Sequence, residues 1–126
     1  LQYTVYGVPS VFYGDEVGVE GYHDPFCRRP FPWGHEDREL LAFYRKLGRI
    51  RGAEPVFADG DFCIIRAHDG VIGYIRSGEY SLTVLANAKK EPVPVAVPGQ
   101  TTDLLTGHRY GGMLPPLSGV ILKETR

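Results

Sequence analysis

Residues 7–16 read Gly-Val-Pro-Ser-Val-Phe-Tyr-Gly-Asp-Glu, and how this stretch is read decides what the whole chain is expected to be. Val8 to Tyr13 is a compact apolar run, with Gly7 and Pro9 at its start and Gly14 closing it. A short apolar run bounded by turn residues suits a strand buried on both faces, as in a parallel barrel. Downstream, Gly14 to His35 is rich in Gly, Pro, Asp and Arg and has no period. It reads as one long loop, and ordered loops of that length usually carry function.

A helix is predicted next, over Glu36 to Arg51. Leu40, Tyr44 and Leu47 recur at helical spacing, and Phe43 and Ile50 widen the stripe. Acidic residues fill its first turn and basic residues its last, the order that complements the helix dipole. Gly52 is expected to stop it. Beyond Glu54-Pro55 the pattern changes to short β-rich runs: Asp61 to Ala67, Val71 to Arg76, Tyr80 to Asn87, Pro92 to Val97, Thr101 to Leu105 and Val120 to Lys123. His68-Asp69-Gly70 and Ser77-Gly78-Glu79 read as hairpin turns between the first three. A two-sided strand followed by an outer helix is the repeating unit of a β/α barrel. The expected fold is therefore mainly β: the last strand, loop and helix of a (β/α)8 barrel over residues 1–53, then an antiparallel β-sandwich domain over residues 54–126.

The chain has 126 residues, 43% of them apolar and 23% charged, with a formal net charge of −1. Enough apolar surface is present to offset the entropy of ordering, which argues against a disordered chain. Lys and Arg are scattered, so neither a nucleic-acid nor an anionic-membrane partner is expected. No apolar run approaches the roughly 20 residues of a membrane span, and the N-terminus has no basic-then-apolar secretion pattern. The start at Leu1 leads to the expectation of a piece cut from something longer. Cys27 and Cys63 are too few for a disulfide framework, and reduced thiols in a cytoplasmic protein are expected. His23, His35, His68 and His108 lack metal-ligand spacing, so no metal or cofactor is expected.

The stretch GVPSVFYGDE resembles the segment that ends the barrel in α-amylase-family glycoside hydrolases, where a Gly-x-Pro-x-x-Tyr-Tyr-Gly-x-Glu pattern spans the eighth strand. Phe12 replaces the first Tyr. The following GVEGYHDPFCRRPFPW is similar to the loop of the neopullulanase, cyclomaltodextrinase and maltogenic amylase branch, with its Asp-Pro-x-x-Arg motif at Asp24 to Arg28. Residues 40–47, LLAFYRKL, resemble the helix that closes that barrel. The resemblance implies hydrolysis of α-glucosidic bonds in maltooligosaccharides, pullulan or cyclodextrins, with retention of configuration. It also implies that the catalytic carboxylates lie before the eighth strand, so none maps onto this sequence. Family members often bind calcium, yet no acidic cluster here has the ligand count for it.

Asp15 and Glu16 are adjacent carboxylates, but consecutive residues leaving a strand point apart, whereas a retaining pair must converge on one bond. A structural role is expected for both. Asp24 and Arg28 match the loop motif, whose Asp and Arg the family places at donor-side sugar subsites; the same two residues alternatively form a loop-stabilising ion pair. Tyr22, Phe26, Phe31 and Trp33 offer either a sugar-stacking platform or anchors for the loop. Tyr74, Tyr80 and Tyr110 pose the same choice in the β half, between a carbohydrate-binding module and ordinary sheet packing. Buried, mixed tyrosines would indicate a scaffold, and a flat exposed row would indicate binding. Val5, Val8, Val11 and Phe12 belong to a strand expected to lack neighbours, so self-association through residues 1–53, or poor order there, is also expected.

Overall fold

The structure is a computed structural model and describes residues 1–125. Among these, two helices precede seven strands: α1 (Arg38–Ala53), α2 (Val56–Asp59), β1 (Asp61–His68), β2 (Val71–Ser77), β3 (Ser81–Asn87), β4 (Val93–Pro94), β5 (Thr101–Asp103), β6 (Met113–Leu114) and β7 (Ser118–Glu124). The mainly β, antiparallel architecture is the one the sequence indicates. A five-stranded sheet runs β1-β2-β3-β7-β5, and β4 and β6 form a second, two-stranded sheet.

Side-chain alternation gives the large sheet two buried faces. On one, Val71, Leu85, Val120 and Leu122 meet Leu114 of the small sheet and Val95 just beyond its β4 strand, which makes a two-layer β core. On the other, Tyr74, Leu82, Val84 and Ile121 pack beneath Val56 and Phe57 of α2, with Val5, Leu47 and Ile50 at the margin. The His68-Asp69-Gly70 turn forms as predicted. Asp69 and Gly70 both take positive φ, 53° and 71°, and a two-residue turn of this hand matches strand twist. Buried polar side chains tie down the longer connections. Asn87 Nδ2 donates to Glu91 O and Pro115 O, each at 2.9 Å. Asp103 Oδ1 accepts from Ile121 N at 3.0 Å and Leu105 N at 3.1 Å.

Three details differ from the sequence expectation. Val8 to Tyr13 is irregular rather than a strand, and Val8 is 93% exposed. A strand's backbone groups need a neighbouring strand, and among the described residues none lies beside this segment. Helix α1 runs through Gly52 and stops at Glu54, whose extended backbone (φ −116°) is what a following proline imposes. The short helix α2 falls between the predicted helix and the first predicted strand, where four residues are too few to show a period.

An N-terminal turn, closed by Thr4 N donating to Leu1 O at 2.8 Å, docks on the sheet. Two arginines hold it. Arg76 of β2 is fully buried, and its guanidinium donates to Thr4 O (3.1 Å), Val5 O (3.3 Å), Gly60 O (2.9 Å) and Asp61 O (3.2 Å). Arg51, in the last turn of α1, donates to Tyr3 O at 2.7 Å and also to Gly7 O. Burial, and after it the charge of Arg51, lowers the Arg76 pKa from its ordinary value. Four contacts to fixed carbonyls satisfy this charge with main chain instead of a carboxylate.

Candidate functional site

The segment 14–35 lies outside both sheets and is held by its own contacts. Gly14, at φ 94°, opens a 3-10 turn over Asp15–Val17, and Glu16 Oε2 turns back to accept from Gly14 N at 2.8 Å. Glu16 thus takes the structural role expected of it. Asp37 N donates to Val17 O at 3.3 Å, and Asp37 then caps α1 by accepting from Leu40 N at 2.9 Å. This pair of contacts fixes the loop's end to the helix start. Tyr13 OH donates to Arg29 O at 3.0 Å and fastens its middle.

At the outer end of the loop, Asp24 and Arg28 form a two-pronged pair. Arg28 Nε reaches Asp24 Oδ1 at 2.7 Å, and Nη2 reaches Oδ2 at 3.1 Å. Both side chains are open to solvent, at 61% and 72% exposure, so the pair leaves unused acceptor and donor positions facing water. Around it stand His23 edge-on to Tyr22 (5.6 Å between centroids) and to Phe26 (6.0 Å). Phe31 and Trp33 pack together at 4.5 Å, yet Trp33 remains 80% exposed. Within this chain these aromatics contact one another more than they anchor the loop to a core. The loop thus carries exposed aromatic faces and a solvent-open carboxylate–guanidinium pair, the group types that take up sugar rings and hydroxyls. Cys27 and Cys63 are free thiols. Among the described residues no group of three acidic, histidine or cysteine side chains is placed to hold a metal ion.

The tyrosines of the β half behave differently. Tyr74 is fully buried, its hydroxyl 2.6 Å from Thr4 Oγ1, and burial raises its pKa. Tyr110 is half-buried and donates to Val95 O at 3.0 Å. Tyr80 is half-buried too, with the Lys123 ammonium 4.4 Å from its ring centre. Burial, with the Glu54 carboxylate second, pushes the Tyr80 hydroxyl up to about 12. Lys123 also grips Glu54, with contacts of 2.8 and 2.9 Å. Tyr74 and Tyr110 therefore join layers, while Tyr80 lines an open cavity with Thr102, Leu104 and Lys123, and the three form no flat exposed row. Sequence reasoning missed the Arg51 and Arg76 clamp, because an arginine whose partners are main-chain carbonyls leaves no complementary residue to notice.

No protein-family model matches the chain. Comparison with curated proteins finds a cyclomaltodextrinase of a Bacillus species, 37% identical over 117 residues, which covers 88% of this chain and 20% of that protein. An amylopullulanase of Thermoanaerobacter thermohydrosulfuricus is 42% identical over 76 residues, 60% of this chain and 5% of its own length. Among solved structures, the maltogenic amylase from S. marinus superposes with a TM-score of 0.85 at 26% identity, over 98% of this chain and 18% of that one. The chain thus spans a fifth or less of each of these relatives.

Proposed function

We infer that this chain, which belongs by sequence and fold with the α-amylase-family glycoside hydrolases, serves an enzyme that hydrolyses α-glucans, and that it supplies that enzyme's terminal β domain and an adjoining substrate loop. The observation that carries this reading is the 37% identity to a cyclomaltodextrinase, extending over both the loop and the β region. Residues 1–53 act as the closing unit of the catalytic barrel, in which Val8 to Tyr13 takes up its strand only beside the barrel's other strands, and residues 54–126 act as a supporting sandwich. The β domain is a scaffold: Tyr74 is fully buried and Tyr110 is half-buried against Val95, which supports that role over a flat carbohydrate-binding row.

Asp24 and Arg28 contact the glucan at the donor side. Their mutual pairing orients both groups before sugar arrives, which lowers the entropy cost of binding. The carboxylate accepts from sugar hydroxyls and the guanidinium donates to them. Cleavage requires two carboxyls about 5–5.5 Å apart across one bond. Glu16 is committed to its own turn, and Asp15 is its neighbour in a 3-10 turn, so these two do not act as the pair. On this reading the catalytic carboxylates belong to the rest of the parent enzyme, and the 126-residue chain by itself is inactive.

Trp33 is the single tryptophan and sits in the loop, so its fluorescence reports sugar there directly. Titration with maltohexaose or β-cyclodextrin is expected to change Trp33 emission weakly but saturably in the millimolar range, with no release of reducing ends. Turnover of either sugar by this chain would overturn the assignment of roles.

A further inference from the structure

We propose that β1 is a self-complementary edge through which two copies of this chain pair as antiparallel strands about a two-fold axis at Cys63. Among the described residues β1 has β2 on one side and nothing on the other. Its burial differs from every other long strand: Phe62 is 38% exposed and Ile64 56%. An exposed apolar edge strand is a template for another strand.

The hydrogen-bond phase of this edge follows from its hairpin. His68 and Val71 flank a two-residue turn and exchange both main-chain bonds, and paired positions then alternate along an antiparallel ladder. Arg66 faces Gly73, an irregularity follows, and Ile64 faces Tyr74 as a non-bonded pair. Cys63, opposite Ile75, is therefore bonded inward. The N–H and C=O groups of Phe62 and Ile64 point outward to pair, the Ile64 carbonyl holding only a weak 3.8 Å contact from the Cys63 thiol. With the axis at Cys63, Phe62 of one copy faces Ile64 of the other, and each such pair exchanges two bonds.

The side chains agree with that register. Phe62 stacks on Tyr74, 4.8 Å between centroids, which places Phe62 and Ile64 on one face and Asp61 and Cys63 on the other. An added Cβ at Gly73 would lie 3.4 Å from Ile65 Cγ1 and 3.5 Å from Arg66 Cβ, so the irregularity brings both of these residues to the Asp61 face. In the paired dimer Asp61 meets Ile65 of the other copy with Arg66 beside it, and the axis repeats this contact. Moving the axis by one position, to Ile64, sets Phe62 against Arg66 on opposite faces and loses both complementarities.

Cys63 supplies the reporter. Across a non-bonded antiparallel pair the two Cα atoms stand about 4.5 Å apart, within disulfide reach. In a Cys27→Ser chain treated with copper(II)-phenanthroline, two Cys63 thiols lose two protons and pass two electrons to copper(II), leaving one S–S bond. The expected result is a covalent dimer joined at Cys63, and a concentration-dependent dimer by sedimentation without oxidant. Asp61→Arg turns two attractive cross-strand contacts repulsive and is expected to weaken dimerisation about tenfold. Adding Arg66→Asp restores it, which a mere folding defect would not allow. A chain that stays monomeric at millimolar concentration, or cross-linking indifferent to Asp61→Arg, overturns the proposal.

Discussion

Replacing Arg76 by Met tests the claim that a buried guanidinium clamps the N-terminal turn to the β domain. Methionine keeps much of the side-chain length and apolar bulk but removes every donor. Four carbonyl contacts are lost, and two of them, to Thr4 O and Gly60 O, lie in buried surroundings. Each buried acceptor left without a partner costs about 1–3 kcal/mol, so these two alone amount to roughly 2–6 kcal/mol. Relief from burying a charge offsets part of that, leaving an expected loss of about 2–4 kcal/mol. That is a large share of the 5–15 kcal/mol by which domains are typically stable. Urea unfolding followed by circular dichroism reads the midpoint, and amide exchange reads where order is lost. The midpoint is expected to fall, with Thr4 and Val5 amides losing protection before those of β2 and β3. Arg76→Lys should fall between, because an ammonium cannot reach four separated carbonyls at once. A Met variant within about 0.5 kcal/mol of the parent, a margin ordinary for an exposed surface site, would refute the clamp.

Removing the cap of α1 with Asp37→Ala deletes the bond to Leu40 N and is expected to cost about 1 kcal/mol, seen as faster exchange in the first turn of the helix. The Tyr80 hydroxyl, near 10 when unfolded, is pushed up to about 12 in the fold. The unfolded chain therefore releases this proton first, and stability should be constant below pH 10 and decline from 10 towards 12. Tyr80→Phe should flatten that decline in urea midpoints measured across the same window. Arg28→Ala removes an exposed ion pair and is expected to change stability by less than about 1 kcal/mol, while weakening any maltohexaose response of Trp33.

The β half was legible in sequence because its signals are local. Asp69-Gly70 specifies a tight turn, and the alternation along β2 and β3 specifies a buried sheet. Helix α1 was legible from its stripe, although its end was set by Pro55 and not by Gly52. Val8 to Tyr13 reads as a strand in sequence yet is irregular in the structure, because apolar content says only that the run wants cover; pairing depends on neighbours that local sequence cannot reveal. The small strand β6 passed unnoticed, since Met113–Leu114 is too short to alternate. At the candidate site, Asp24 and Arg28 stand out through the resemblance to the family's Asp-Pro-x-x-Arg loop, and the structure brings them into contact. Their flanking aromatics were found as well, but not the degree to which Trp33 and Tyr22 stay open to solvent. Exposure depends on what packs over a loop, and no single-residue pattern encodes that.

The most direct test is an amide chemical-shift titration of the chain with maltohexaose, run beside an Asp24→Ala variant. Saturable shifts confined to residues 22–33 and lost in the variant are the predicted result, with the amides of β1 to β7 unmoved. Shifts mapping to the β strands and surviving in the variant would contradict the assignment of sugar contact to the loop and of support to the sheet.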